Sequence, residues 1–146
     1  MSGTPGETNS APNDRILAIA AAKLGAASVL AWDTDPVAVY AAKNNAAANS
    51  VANIVRVQRG TLSRKAQIEL KDTFDLVVAN ITAPVIARLA DGFTKVLKPE
   101  GTLIVSGISD PGLDEVLIRL ALSDLKIENI YNDGEWYAVI ARRIKR

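Results

Sequence analysis

The chain has 146 residues and a net charge of +1. This size fits one domain, and the charge gives no reason to expect direct nucleic-acid binding. It contains no Cys and no His, which excludes disulfides, metal sites built on thiolate or imidazole, and Cys or Ser-His-Asp nucleophiles. We therefore expect no metal. No apolar run approaches the roughly 20 residues of a membrane helix. The N-terminus lacks the pattern of a secretory signal, so we expect a cytoplasmic protein.

The first 13 residues, MSGTPGETNSAPN, are mostly polar or turn-forming and show no apolar periodicity. We expect a disordered leader over 1–13 and one folded domain over 14–146. Apolar residues at helical spacing predict a helix from Ile16 to Leu24, and Gly25 lies where a C-cap glycine would end it.

Short apolar runs bounded by turn residues predict strands, and amphipathic spacing predicts the helices between them. Asp35 and Pro36 are typical of an N-cap and a first helical residue. The Asp-Gly pair near the C-terminus is typical of a β-hairpin turn. Alternating strands and helices predict an α/β fold with a mainly parallel sheet and a C-terminal antiparallel hairpin. The predicted elements are a strand over 28–32, a helix over 37–48, a strand over 53–58, an ambiguous polar stretch over 60–73, a strand over 74–79, a helix from 84, a turn at 98–101, a strand over 102–106, a loop over 107–112, a helix over 113–121, and strands over 125–131 and 135–142.

Open α/β sheets bind ligands at the carboxyl ends of their strands. Asp33 follows the first predicted strand, where doubly wound folds hold a ribose through a carboxylate; a helix-capping or solvated carboxylate is the alternative. Asn80 is either a site residue or a turn residue before the next helix. The residues at the ends of the other strands are Gly60 and Thr61, Ile81 beside Asn80, and Gly107 and Ile108, of which Gly107 is equally a plain loop glycine.

Four segments carry a further signal: ILAIAAAKLGAASVLAWDTD over 16–35, VVANI over 77–81, VLKPEGTLIVSGI over 96–108 and GEWYAVIARR over 134–143. In their order and spacing these segments resemble the bacterial methyltransferases that modify protein L11 of the large ribosomal subunit. The resemblance covers about residues 15–143. It implies a Rossmann-like class I fold, S-adenosylmethionine as cofactor, and methyl transfer to amino groups of a ribosomal protein.

The same resemblance implies roles for individual residues. Asp33 corresponds to the acidic residue that holds the cofactor ribose, and Asn80 lies beside the methyl end of the cofactor. The Asn80 side-chain oxygen and the Ile81 carbonyl would hold the hydrogens of the accepting amine. Thr61 is a candidate contact of the adenine from its place after the second predicted strand, although it is not acidic. A non-catalytic remnant or interaction module, and a nucleotide- or dinucleotide-binding module, remain as alternatives.

The sequence departs from the family at its N-terminus. The family has a strand and a glycine-rich D-x-G-x-G-S-G loop before the helix near Ile16, and a separate substrate domain before that. The only glycines among residues 1–15 are Gly3 and Gly6, and the segment contains no apolar run that could form a strand. We therefore expect a truncated domain whose first strand is missing. That strand would lie between those predicted at 28–32 and 74–79. These two must then pair directly, or leave unpaired edges that promote self-association.

Overall fold

A computed structural model describes residues 25–33, 35–59 and 62–144. The leader expected over 1–13 and the helix expected from Ile16 lie outside these residues. The described elements are β1 (Val29–Asp33), α1 (Pro36–Ala48), β2 (Val55–Arg59), α2 (Arg64–Glu69), β3 (Phe74–Asn80), α3 (Ala83–Val96), β4 (Leu97–Ser109), a 3-10 turn (Asp110–Gly112), α4 (Leu113–Leu122), β5 (Leu125–Asp133) and β6 (Trp136–Arg143).

The described strands form one sheet in the order β2-β1-β3-β4-β6-β5. Strands β1 to β4 pair in parallel, and β6 runs antiparallel to both β4 and β5, which confirms the mainly parallel sheet with a C-terminal hairpin. β1 pairs directly with β3 along its whole length, from Val29 opposite Leu76 to Asp33 opposite Asn80. Of the two arrangements expected without an intervening strand, the structure therefore has direct pairing.

The central strands are buried on both faces, as parallel strands between helices must be. Trp32 of β1 is 4% exposed and meets Phe93 of α3 edge-on, with 5.8 Å between ring centroids. This larger core lies under α3 and α4 and includes Leu30, Val77, Ala79, Ile86, Leu103, Val116 and Leu120. The opposite face packs against Ala46 of α1 through Val29, Ala31, Leu76 and Val78. Thus α1 and α3 cover opposite faces of the sheet.

β4 is longer than predicted. The turn expected at 98–101 and the start of the loop expected at 107–112 both lie within this strand. Its register shifts beside β3, between Phe74 and Leu76, and beside β6, between Val105 and Ile108. Glu100 and Gly107 have φ values of +67° and +82° near these shifts. Both predictions were wrong because bulges let a strand absorb unpaired residues without ending.

The polar stretch that the sequence left ambiguous contains the short helix α2. Ser63 caps it, since its side chain accepts a 3.1 Å hydrogen bond from the Ala66 N–H. Among the helices of the described residues, none is long and apolar enough to cross a membrane.

Candidate functional site

The carboxyl ends of the four parallel strands carry a row of polar residues, one on each strand. Asp33 is in register with Arg59 of β2 on one side and with Asn80 of β3 on the other. Asn80 is in turn in register with Ser106 of β4. Each lies two positions after an apolar residue of the core under α1. Because side chains alternate along a strand, the whole row belongs to the face that α1 covers.

This row crosses the point where the strand order reverses. From β1 the chain moves to β2 on one side, and it then returns to form β3 on the other side of β1. The helices that follow β1 and β3 pack on opposite faces, so the segments leaving Asp33 and Asn80 diverge. Open α/β sheets bind ligands in the crevice at such a switch point. Asp33 and Asn80 lie at its mouth on neighbouring strands, which are about 4.8 Å apart.

Local hydrogen bonds fix the Asp33 carboxylate relative to α1. Its Oδ1 accepts a 2.8 Å bond from the Asp35 N–H. Asp35 Oδ1 accepts a 2.9 Å bond from the Val37 N–H, and Pro36 is the first helical residue. The prediction that Asp35 caps this helix is confirmed. Asp33 is thus held at the strand end by the same turn that starts the helix.

A shallow apolar recess adjoins Asp33. It lies between the end of β1 and the first turns of α1, where the small side chains of α1 leave space against the sheet. The residues that line it are Ala31, Trp32, Asp33, Ala38, Val39, Ala42, Val57 and Val78. A carboxylate beside an apolar surface suits a ligand that has hydroxyl groups next to an apolar ring.

At the end of β3, two oxygen atoms lie close to Gly107 of β4. A Cβ added to Gly107 would be 2.6 Å from Asn80 Oδ1 and 3.2 Å from the Ile81 carbonyl oxygen. The Ile81 side chain is buried in the core under α3, which anchors its backbone. The two acceptors assigned to an amine therefore lie side by side against Gly107, at a place where a side chain on residue 107 would not fit.

A polar pair lies farther along the same edge of the sheet. The Tyr137 hydroxyl donates a 3.0 Å hydrogen bond to Asp110 Oδ1, and this bond to a carboxylate raises the pKa of Tyr137 above its usual range. Tyr137 is in register with Ile108 of β4. The pair joins the start of β6 to the turn that follows β4.

The structure brings Asp33, Asn80 and Ile81 together, whereas Thr61 lies outside the described residues. Sequence reasoning did not select Arg59 or Ser106 and gave Gly107 no preference over a loop residue. Arg59 and Ser106 were detectable, since each occupies the strand-end position that Asp33 and Asn80 occupy. Within the described part of the chain, no three Asp, Glu, His or Cys side chains are grouped to hold a metal ion.

Comparison with known proteins identifies the family. The sequence profile of the ribosomal protein L11 methyltransferase (PrmA) family matches residues 14–144. The chain belongs to this family. The PrmA match covers every described element and all the polar residues of the site.

Individual relatives agree with this assignment. The ribosomal protein L11 methyltransferase of Heliobacterium modesticaldum is 45% identical over 128 residues, which are 88% of this chain and 39% of that protein. The crystal structure of a ribosomal protein L11 methylase from Lactobacillus delbrueckii subsp. bulgaricus superimposes with a TM-score of 0.68 at 35% identity, covering 89% of this chain and 66% of that chain. This chain spans about 40% of the length of the curated relatives it matches.

The fold extends to more distant structures. A SAM-dependent O-methyltransferase from Thermotoga maritima superimposes with a TM-score of 0.62 at 12% identity, covering 92% of this chain and 66% of that chain. This likeness concerns the fold alone. Together with the PrmA match, it confirms the Rossmann-like class I methyltransferase fold.

Proposed function

We propose that this chain binds S-adenosylmethionine and transfers its methyl group to amino groups of ribosomal protein L11. The observation that carries the proposal is the pairing of Asp33 with Asn80 at the switch point of the sheet. It gives one crevice both a carboxylate for a ribose and an amide oxygen for an amine. The names of the relatives at 45% and 35% identity support the substrate. Because ribosomal proteins are made and assembled in the cytoplasm, we place the activity there.

The residues around Asp33 fit the nucleoside part of this cofactor. A carboxylate at the end of the strand accepts hydrogen bonds from the two ribose hydroxyls. The hydrogen bond from the Asp35 N–H holds that carboxylate at the mouth of the crevice. Ala38, Val39 and Ala42 line a small apolar recess beside it. Thr61 remains a predicted contact of the adenine.

The residues around Asn80 fit an amine acceptor. S-adenosylmethionine, when bound, supplies an already activated methyl group, so this chemistry needs no covalent nucleophile, metal or histidine. The protein has to hold a neutral amine in one orientation. Two amine hydrogens can be donated to Asn80 Oδ1 and to the Ile81 carbonyl. The nitrogen lone pair is then left free of hydrogen bonds and available for the methyl group.

The first test is calorimetric titration of the purified chain with S-adenosylmethionine and S-adenosylhomocysteine, with NAD as the control ligand. We expect micromolar binding of both sulfur compounds and no binding of NAD. Asp33→Asn should weaken binding severalfold because it removes the charged acceptor of the ribose hydroxyls. Asp91→Asn, which changes an exposed carboxylate on α3, should leave the affinity unchanged.

Each other outcome indicates a different function. Preferential binding of NAD would indicate a dinucleotide-binding module, because a strand-end carboxylate suits the ribose of either ligand. Absence of binding by a folded chain would indicate a non-catalytic member of the family. If the sulfur compounds bind, methylation of purified ribosomal protein L11 with labelled cofactor tests the substrate. Binding without methylation would limit the proposal to the cofactor.

A further inference from the structure

Gly107 differs from the other described glycines of positive φ in what surrounds it. Its φ is +82°, and a Cβ placed there would meet Asn80 Oδ1 at 2.6 Å, the Ile81 carbonyl oxygen at 3.2 Å and the Ile81 nitrogen at 3.7 Å. The first distance is shorter than real Cβ contacts allow. Gly25 and Gly134 also have positive φ, but an added Cβ would have nothing within 4 Å at either. Only at Gly107, among these three, does the lack of a side chain accommodate a neighbour.

The bulge in β4 produces this contact. Val105 and Ile108 pair with β6 on either side of a register shift, and Gly107 lies in the shifted part. On the other side of β4, Ser106 stays in register with Asn80. The bulge therefore turns the backbone at Gly107 toward the end of β3 while the parallel pairing holds Asn80 in place. A left-handed φ and a close approach at one position are conditions that glycine alone meets without strain.

We infer that Gly107 is a positioning residue for the proposed methyl transfer. It lets the Asn80 side chain take its orientation at the strand end, because Asn80 Oδ1 lies where a side chain at position 107 would begin, with the Ile81 carbonyl beside it. Any side chain at 107 would displace the first acceptor and crowd the second. This inference rests on the proposed function for its meaning in catalysis. The contact with Asn80 can be tested without cofactor.

A double-mutant cycle tests that contact through stability. Gly107→Ala, Asn80→Ala and the double variant are compared by urea unfolding, with Gly134→Ala as the control for positive φ without a neighbour. We expect Gly107→Ala to lower the folding equilibrium constant roughly tenfold more than Gly134→Ala does. A difference of this size lies within the range of interaction energies between residues in contact. With Asn80→Ala present, this excess should largely disappear, because the displaced atom is gone.

The cycle stays decisive even if Gly107→Ala does not fold. Recovery of folding in the double variant would then support the contact, whereas failure of both variants would overturn it. An effect of Gly107→Ala no larger than that of Gly134→Ala would also overturn it. Gly101→Ala provides a second control, because a Cβ there would lie 2.9 Å from the Lys98 carbonyl oxygen and Gly101 has no positive φ. It adds a steric clash at the opposite end of the sheet from Asn80 and should show no coupling with Asn80→Ala.

Two further measurements separate positioning from simple destabilisation. In nitrogen-edited NMR spectra, Gly107→Ala should shift the side-chain amide signals of Asn80, assigned through Asn80→Ala, and Gly101→Ala should not. In a methylation assay, Gly107→Ala and Asn80→Ala should lower kcat at least tenfold with less than a twofold change in cofactor affinity. Equal loss of kcat in Gly101→Ala would contradict positioning. If the wild-type chain binds no S-adenosylmethionine but the coupling and the shift are present, the proposed function fails and the positioning of Asn80 by Gly107 stands.

Discussion

The Asp33 carboxylate serves two purposes at the end of β1. It accepts the Asp35 N–H at 2.8 Å, which belongs to the turn that starts α1, and we assign it to the ribose of the cofactor. These purposes predict different effects for two substitutions. Asn keeps an oxygen that can accept the Asp35 N–H but loses the charge, whereas Ala loses both.

We predict that Asp33→Ala lowers the free energy of unfolding by about 0.5–1.5 kcal/mol, the net contribution of one such hydrogen bond. Asp33→Asn should be destabilised less than Asp33→Ala, because its amide oxygen can still accept the Asp35 N–H. Both variants should weaken cofactor binding, Asp33→Ala by about 1–3 kcal/mol because it leaves polar groups of the ligand unpaired. Urea unfolding and calorimetry on the same samples measure the two effects. Unchanged affinity in Asp33→Ala would refute the ribose assignment and leave only the structural contact.

At the level of single residues, the sequence was informative where chemistry depends on strand ends. Asp33 and Asn80 were predicted because each follows an apolar run, and they proved to be register partners. The importance of Gly107 could not be predicted in this way. It depends on a bulge whose position is set by pairing with β6, a strand about 30 residues later in the chain. Contacts of this kind arise from tertiary register and leave no local pattern.

At the level of elements, a cluster at the opposite, amino end of the sheet joins three strands. Asp75 of β3 accepts a 3.0 Å hydrogen bond from the backbone N–H of Ser28, just before β1, and forms a 3.3 Å ion pair with Lys98 of β4. Burial raises the pKa of Asp75, but the hydrogen bonds from Lys98 and Ser28 outweigh burial and hold this pKa below its ordinary value. The cluster links β1 to β3 by hydrogen bonds at the end where their direct pairing begins.

This cluster predicts a pH dependence of stability. Because the pKa of Asp75 is lower in the folded state, its carboxylate stabilises the fold above the unfolded pKa of about 3.9, and this contribution is lost as pH falls through the folded pKa. Asp75→Asn should therefore lower the free energy of unfolding at pH 7, with a smaller difference from wild type near pH 3. Ser28→Ala removes the hydrogen bond from the Ser28 hydroxyl to Asp75. It should lower the free energy of unfolding at pH 7 by a smaller amount, and this difference from wild type should also shrink near pH 3. Urea unfolding across this pH range measures both, and a difference independent of pH would contradict the electrostatic explanation.

The helices and strands themselves were largely predictable. β1, β3 and α1 begin and end within one residue of their predicted positions, because continuous apolar runs and the Asp35-Pro36 cap mark them clearly. The errors cluster in β4, which continues through Glu100 and Gly107 where the sequence suggested a turn and a loop. Positive-φ residues are typical of turns and bulges alike. Only the pairing partners decide between the two, and those are not local information.

At the level of the whole molecule, the direct pairing of β1 with β3 determines where the sheet has open edges. The sequence allowed unpaired edges between these strands, but hydrogen bonds close that position in the structure. In the described sheet the outer strands are β2 and β5. β2 has five residues, whereas β5 has nine, most of them exposed. Ile130 and Tyr131 on β5 are 46% and 56% exposed. Long edge strands with exposed apolar side chains favour pairing between chains.

We therefore predict that self-association, expected from the sequence through unpaired strands, occurs through the β5 edge. Ile130→Lys should lower it because a charged side chain on an edge strand disfavours pairing with a second chain. Ile68→Lys is the matched control, since Ile68 is 71% exposed but lies on α2. Sedimentation velocity over a range of protein concentrations measures the association. A wild-type chain that stays monomeric would refute the expectation, and equal effects of both substitutions would show that general hydrophobicity drives the contact instead of the strand edge.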